Sequence, residues 1–173
     1  SITLGEGAGP HGSEAFQDLL ADNAISLSFS AGGDSFGGSV KTVLDRADTA
    51  WELLRLAINE PRFDPEPVGR MRAAAISGVR RSTQDIGWYT GRGFFQTALP
   101  GTPHSRPNRG TVASLTAIGP DELRGFVDRN FTRANLVIGV VGAISAEELA
   151  PVLDLVFGDL PEGERVSRLP DYE

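Results

Sequence analysis

Residues able to do chemistry are few in this 173-residue chain, and they are widely spread. The two histidines, His11 and His104, both fall in glycine- or proline-rich stretches. Two histidines and a carboxylate can hold zinc, but ligands must converge, and no pair at helical spacing brings these together. Exposed loop positions are the plainer reading. Gly5-Glu6-Gly7-Ala8-Gly9 contains a Gly-x-Gly, yet neither a strand nor a matching third glycine frames it as a phosphate cradle. None of the serines stands in a nucleophile-elbow pattern. Arg70, Arg72, Arg80 and Arg81 could line an anionic surface, although such a run is usually a solvated helix face. Asp34 could serve as a catalytic carboxylate, but beside Gly32-Gly33 it suits a turn, where Asp bonds its own backbone. Trp88 and Tyr89 could form a ligand platform, with core packing the ordinary role of helical aromatics. There is no cysteine, which excludes disulfides, thiolate zinc sites, iron–sulfur clusters and a cysteine nucleophile. From side chains alone the chain is not expected to be a self-sufficient enzyme.

The elements that would position these residues centre on a hairpin. Ile25, Leu27 and Phe29 alternate with Ser26, Ser28 and Ser30, the period of a strand with one buried face. Gly32-Gly33-Asp34 supplies a tight reversal, and the chain runs extended again through Phe36, Val40 and Val43. Gly37 and Gly38 inside the second strand predict a bulge or a close backbone approach. Ahead of the hairpin, Ser13 is expected to cap a short helix carrying Phe16, Leu19 and Leu20. Behind it, Asp45 is expected to cap a helix with Trp51, Leu54 and Ile58 on one face, ended by Pro61.

Asp64-Pro65 starts a second helix, to about Ser82, with Val68, Met71, Ala75, Ile76 and Val79 at helical spacing. Ile86–Leu99 reads as a further helix, and Pro100–Gly110 as a loop. A short helix around Ala113–Ala117 precedes one opened by Pro120, with Leu123, Phe126 and Val127 facing in. Asn135–Gly142 (NLVIGVVG) is apolar, too short for a helix and bounded by turn residues, so it is expected to be a buried central strand. Ser145 and Glu148 form a capping box for a last helix through Val156.

The predicted class is α+β, a small, mainly antiparallel sheet with helices packed on one face. Three strands are few for so much helix, so the sheet is expected to be incomplete at the N-terminus. The chain opens at Ser1 rather than Met and is read as a piece of a longer polypeptide. Residues 1–160 are expected to form one partial domain and residues 161–173 a linker or tail. A net charge of −7 argues against nucleic acid, whose binders show a basic footprint, and no apolar run approaches the roughly 20 residues of a membrane span.

Seven segments, in order, resemble the pitrilysin/insulinase-type zinc peptidases, closest to their bacterial processing-peptidase-like branch. They are LGEGAG, SAGGDSF, EPRFDPEPVGRMR, LPGTPHSRPNRGT, DELRGFVDRNF, NLVIGVVGAISAEEL and FGDLP. The resemblance covers nearly all of the chain to about Leu160. It implies the first α+β domain of a half that, with a second half, encloses a chamber for unfolded peptides. On that resemblance the chain is expected to lack the domain's opening strands and the beginning of its zinc helix.

Active halves bind zinc through an inverted His-x-x-Glu-His motif and a distant Glu. Aligning Gly7 with the glycine after the motif puts its last Glu-His on Ser1-Ile2 and the distant Glu on Gly78. Neither Ile2 nor Gly78 can coordinate a metal, nor can the neighbouring Ser77 and Val79 replace the Glu, so hydrolysis by this chain is not expected. No catalytic residue and no metal ligand is assigned, and zinc is placed in the active partner.

The implied role is that of a non-catalytic subunit of a heteromeric zinc metallopeptidase, helping to form the peptide-binding chamber. The alternatives are a fragment of an active zinc endopeptidase and a purely structural assembly subunit. Ser28, Phe29, Ser30 and Ala31 match the edge strand that receives extended peptide in the family. The partners implied are a catalytic homologous subunit and a peptide substrate, and the truncated sheet adds a tendency to self-associate. A bacterial periplasmic or envelope location follows from the resemblance only.

Overall fold

The computed structural model describes residues 2–32 and 35–165. Among the described residues, seven α-helices accompany one antiparallel hairpin: α1 (Ser13–Asp22), β1 (Ser26–Ala31), β2 (Phe36–Lys41), α2 (Ala47–Asn59), α3 (Pro65–Ser82), α4 (Ile86–Ala98), α5 (Val112–Thr116), α6 (Pro120–Asn130) and α7 (Ala146–Phe157). The α+β class is as expected. The turn residues Gly33 and Asp34 lie outside the described residues.

The hairpin runs without a break in register from Ser26 opposite Lys41 to Ala31 opposite Phe36. The strand glycines therefore make no bulge. Gly38 sits opposite Phe29, and a Cβ built there would lie 3.1 Å from the Phe29 ring. What approaches closely is an aromatic ring, which crosses the space a side chain would fill.

Phe29 is where the cores meet. Half-buried on β1, it packs against three buried clusters. One joins Phe16 and Leu20 of α1 to Ile25 and to Ala50, Leu53, Leu56 and Ala57 of α2. The next sets Leu54 and Ile58, also on α2, against Val156 of α7 and Leu160. The third holds Leu4, Phe63 and Val68. Thus α2 buries two faces, against α1 and against α7. The Asn59 side-chain amide donates to the Val156 carbonyl at 2.9 Å and fastens the second contact.

Helix ends explain several boundaries and correct two. Pro65 takes the first position of α3 after Asp64, where its missing N–H costs nothing. The Ser145–Glu148 capping box forms as expected. Ser13 instead becomes the first residue of α1 after Gly12, because its hydroxyl donates to Glu6 at 2.8 Å rather than capping. Asp45 lies in a single 3-10 turn, and α2 starts at Ala47 with no side-chain cap. Phe126, expected inward on α6, remains 43% exposed.

The largest correction concerns Asn135–Gly142. A buried central strand needs hydrogen-bonded neighbours on both edges. β1 and β2 pair only with each other, and no described strand reaches this segment. Asn135 and Leu136 bond back to Thr132 and Arg133, and beyond them Val137 and Val141 are fully in solvent.

Candidate functional site

β1 has one edge committed to β2. Among the described residues, no backbone hydrogen bond reaches Ser26–Ala31 from anywhere else. Ser28, Ser30 and Ala31 are exposed, whereas Phe29 turns inward to stack on Phe36 with centroids 6.0 Å apart. The strand thus offers backbone donors and acceptors on a base held by the packing of Phe29.

The 3-10 turn Ile2–Gly5 packs beside both β1 and α3. Leu4 fills the space between Phe63 and Val68, near the start of α3. The following loop is tied to the α2–α3 connection: Gly9 N–H donates to Glu60 O at 2.9 Å and Arg62 N–H to Gly7 O at 3.2 Å. Gly7 has φ +113°, and a Cβ there would meet the His11 carbonyl at 3.0 Å, so this reversal requires glycine.

A carboxylate lies at the centre of this corner. Glu6 accepts from Arg70 at 2.6 Å and from the Ser13 hydroxyl at 2.8 Å, and Arg70 also pairs with Glu66 at 3.1 Å. The clasp joins the glycine-rich loop to α1 and α3. Both partners bond the same Glu6 oxygen, which makes it a positioned acceptor in an ion pair rather than a free base. Sequence reading missed it, because Glu6 and Arg70 stand 64 positions apart and nothing local marks either as a partner. Nearby, Arg62 pairs with Asp64 at 2.8 Å, and that hydrogen bond raises the guanidinium's pKa above its ordinary value.

The positions that the resemblance assigns to metal ligands carry no donor side chain. Gly78 lies well inside α3, roughly 15 Å along the axis from Val68. A Cβ there would meet nothing within 4 Å, and the Gly78 carbonyl already accepts from the Ser82 hydroxyl at 3.0 Å. The backbone of Ile2 belongs to the 3-10 turn, and Ser1 lies outside the described residues. Zinc at the family's positions does not fit this donor set. His11 exchanges backbone bonds with Ala8, and His104 lies in the separate turn Pro103–Ser105. Among the described residues, no three His, Asp or Glu side chains are grouped so as to hold a metal.

The other candidates stay apart from this corner. Arg72 donates to the Ile118 carbonyl at 2.8 Å and so ties α3 to the chain after α5, while Arg80 and Arg81 are exposed. Trp88 and Tyr89 meet edge to face at 5.0 Å, and Arg92 lies over the Trp88 ring at 5.6 Å. No residue of α4 is buried, so these aromatics are not core residues within this chain. Among the described residues, no helix is long and apolar enough to cross a membrane.

No protein-family model matches the chain. Among curated proteins it is similar to an uncharacterized zinc protease of Rickettsia felis, 19% identical over 79% of this chain and 35% of that protein. It is also similar to the non-peptidase homolog YmxG of Helicobacter pylori, 21% identical over 93% of this chain and 37% of that protein. The chain therefore spans little more than a third of the length of these relatives. Among solved structures, a peptidase M16 inactive domain from Pseudomonas fluorescens superposes with a TM-score of 0.90 at 19% identity, covering 97% of this chain and 41% of that one. With pitrilysin also among the structural neighbours, the chain has the fold of a peptidase M16, pitrilysin-type domain.

Proposed function

We propose that this chain is part of a non-catalytic subunit of a heteromeric zinc peptidase of the M16 type, and that the outer edge of β1 at Ser28–Ala31 receives extended peptide. One observation carries the non-catalytic half of this reading. Gly78, where an active member would present a ligating Glu, is bare backbone facing open space. A zinc site short of a ligand loses the constraint and charge that lower the pKa of bound water. An inactive domain and a non-peptidase homolog among the similar proteins support the same reading.

The peptide-binding half rests on the strand geometry. An unpaired edge adds a strand from any extended chain, because main-chain groups supply the hydrogen bonds and the sequence is left free. Residues 1–160 would form the domain and 161–173 the connector to further polypeptide. The connector's first residues are held in place, with Arg133 and Ala134 N–H groups donating to the Pro161 and Glu162 carbonyls at 2.9 Å each.

The test uses the natural full-length polypeptide that contains this chain, alone and mixed with a catalytic M16 homologue encoded beside it. Expected are no bound zinc and no peptide hydrolysis alone, hydrolysis on mixing, and slowed amide exchange at residues 28–31 when an unfolded peptide is added. Stoichiometric zinc in the polypeptide alone would show that the ligand positions lie elsewhere. Absence of hydrolysis on mixing, with no exchange change at 28–31, would leave a structural role and defeat the proposal.

A further inference from the structure

The segment after α7 has the composition of a linker, yet its backbone is bonded to the body of the protein. Leu160 is buried with Leu54 and Ile58 of α2 and Val156 of α7. Beyond it, the Pro161 and Glu162 carbonyls accept from Arg133 and Ala134 N–H at 2.9 Å each. The Glu164 carbonyl accepts from the Asn135 side-chain amide, also at 2.9 Å. Gly163, with φ +67°, turns the chain between the second bond and the third. The donors are groups that need acceptors. Arg133, Ala134 and Asn135 form a 3-10 turn, and the first N–H groups of such a turn have no partner inside it. Thr132 stands in the cap position, but its side chain does not cap; its hydroxyl accepts from the Asn135 amide at 3.0 Å. The carbonyls of residues 161 and 162 supply the cap from 28 positions away.

We infer that residues 160–164 are a strap that moves with the domain, so that the chain has no hinge where α7 ends. A hinge absorbs backbone rotation at a few residues. Rotation between Pro161 and Glu164 would break one or more of the three bonds and uncap the turn at Arg133. Pro161 narrows the freedom further, since its ring fixes φ at the point of departure. Thr132 makes the fit specific. It is 8% exposed, and a Cβ on Gly163 would collide with its side chain, so the strap lies at a distance that only glycine permits. Every contact that forms the strap is made inside this domain. None depends on an uncovered edge or on the peptidase reading.

The experiment uses the natural full-length polypeptide that contains this chain. Amide exchange is read at Arg133 and Ala134, and a glutamyl endopeptidase probes the strap, since it cuts after Glu162 and Glu164 only where the backbone is free to extend. The expected result is exchange at both amides slowed roughly tenfold or more relative to an unbonded amide, with neither glutamate cleaved under native conditions. Gly163→Ala should return both amides to fast exchange and open both cleavage sites, while the α2 amides of Leu53 and Leu54 stay protected. Asn135→Ala adds no bulk and removes one of the three bonds. It should admit cleavage after Glu164 with the same α2 amides protected, and it decides the matter if Gly163→Ala does not fold. Fast exchange at Arg133 and Ala134 in the parent overturns the inference. So does cleavage of the parent after Glu162, or a folded Asn135→Ala variant cut no faster than the parent.

Discussion

Helices α2 and α4 are each 13 residues long and both are rich in apolar side chains, yet they end in opposite environments. α2 buries Ala50, Leu53, Leu54, Leu56, Ala57 and Ile58, between α1 on one side and α7 on the other. α4 buries nothing, and Ile86 and Phe94 are 82% and 64% exposed. The contrast is one of partners. An apolar helix is stabilised only to the extent that something covers it, and most helical stability in a folded protein comes from that packing. α4 keeps its shape with a local device, the Asp85 carboxylate accepting from Gly87 N–H at 2.8 Å.

The largest expected effect tests this directly. Leu53→Ala removes a side chain that is 4% exposed, next to Phe16 and Leu56 in the α1–α2 core. It should destabilise by about 2–5 kcal/mol through lost transfer energy and the cavity left behind. Phe94→Ala deletes more atoms from an exposed position, and should change stability by only about 0.5 kcal/mol or less. Urea denaturation of both variants checks the pair. A cost at Phe94 comparable to that at Leu53 would show that α4 is covered in solution and would remove the contrast.

The same contrast separates what was legible in the sequence from what was not. Local signals held at three places where the stabilising partner is itself local, and failed at the caps expected from Ser13 and Asp45. Pro65 marks the start of α3, Ser145 and Glu148 mark the start of α7, and the period-2 run from Ile25 marks β1. The signal at Asn135–Gly142 was equally clear, but it reports only a preference. Whether an apolar β-branched run becomes a strand depends on a neighbour that its own residues cannot specify. The Glu6–Arg70–Ser13 clasp was illegible for a related reason, since ion pairing between distant segments leaves no pattern in either. Of the candidate site, the absent donor at Gly78 could be read from residue type once an alignment was assumed. That β1 keeps an edge free of backbone hydrogen bonds from the described residues was expected only through the resemblance, because pairing is a property of the fold.

A smaller effect belongs to the packed side of the comparison. Ser145 caps α7, whose Val156 is 1% exposed against α2, so loss of the cap loosens a helix that the core needs. Ser145→Ala should cost about 1 kcal/mol. The box also carries a pH signature. The Ser145 backbone N–H donates to the Glu148 carboxylate at 2.9 Å, and this holds that carboxyl below the usual carboxylate range. A lowered folded-state value means that the contribution is complete above the ordinary carboxylate pKa and is lost as pH falls through the folded one. Glu148→Gln should flatten this part of the acid limb of a stability–pH profile. An unchanged limb would mean that the hydrogen bond is not kept in solution.

The smallest effect sharpens the comparison from the side of α4. Gly91 and Gly93 lie inside that helix with nothing within 4 Å of either would-be Cβ. Glycine there serves no close approach and leaves only its conformational entropy as a cost to the helix. Gly91→Ala should therefore stabilise by about 0.5–1 kcal/mol, with slower exchange at the amides of α4 as the local readout. The gain depends on α4 being formed and uncovered. If the helix unravels in solution, alanine gains little in global stability and the exchange rates stay fast. If a partner segment covers this face, the added methyl meets it and the sign reverses.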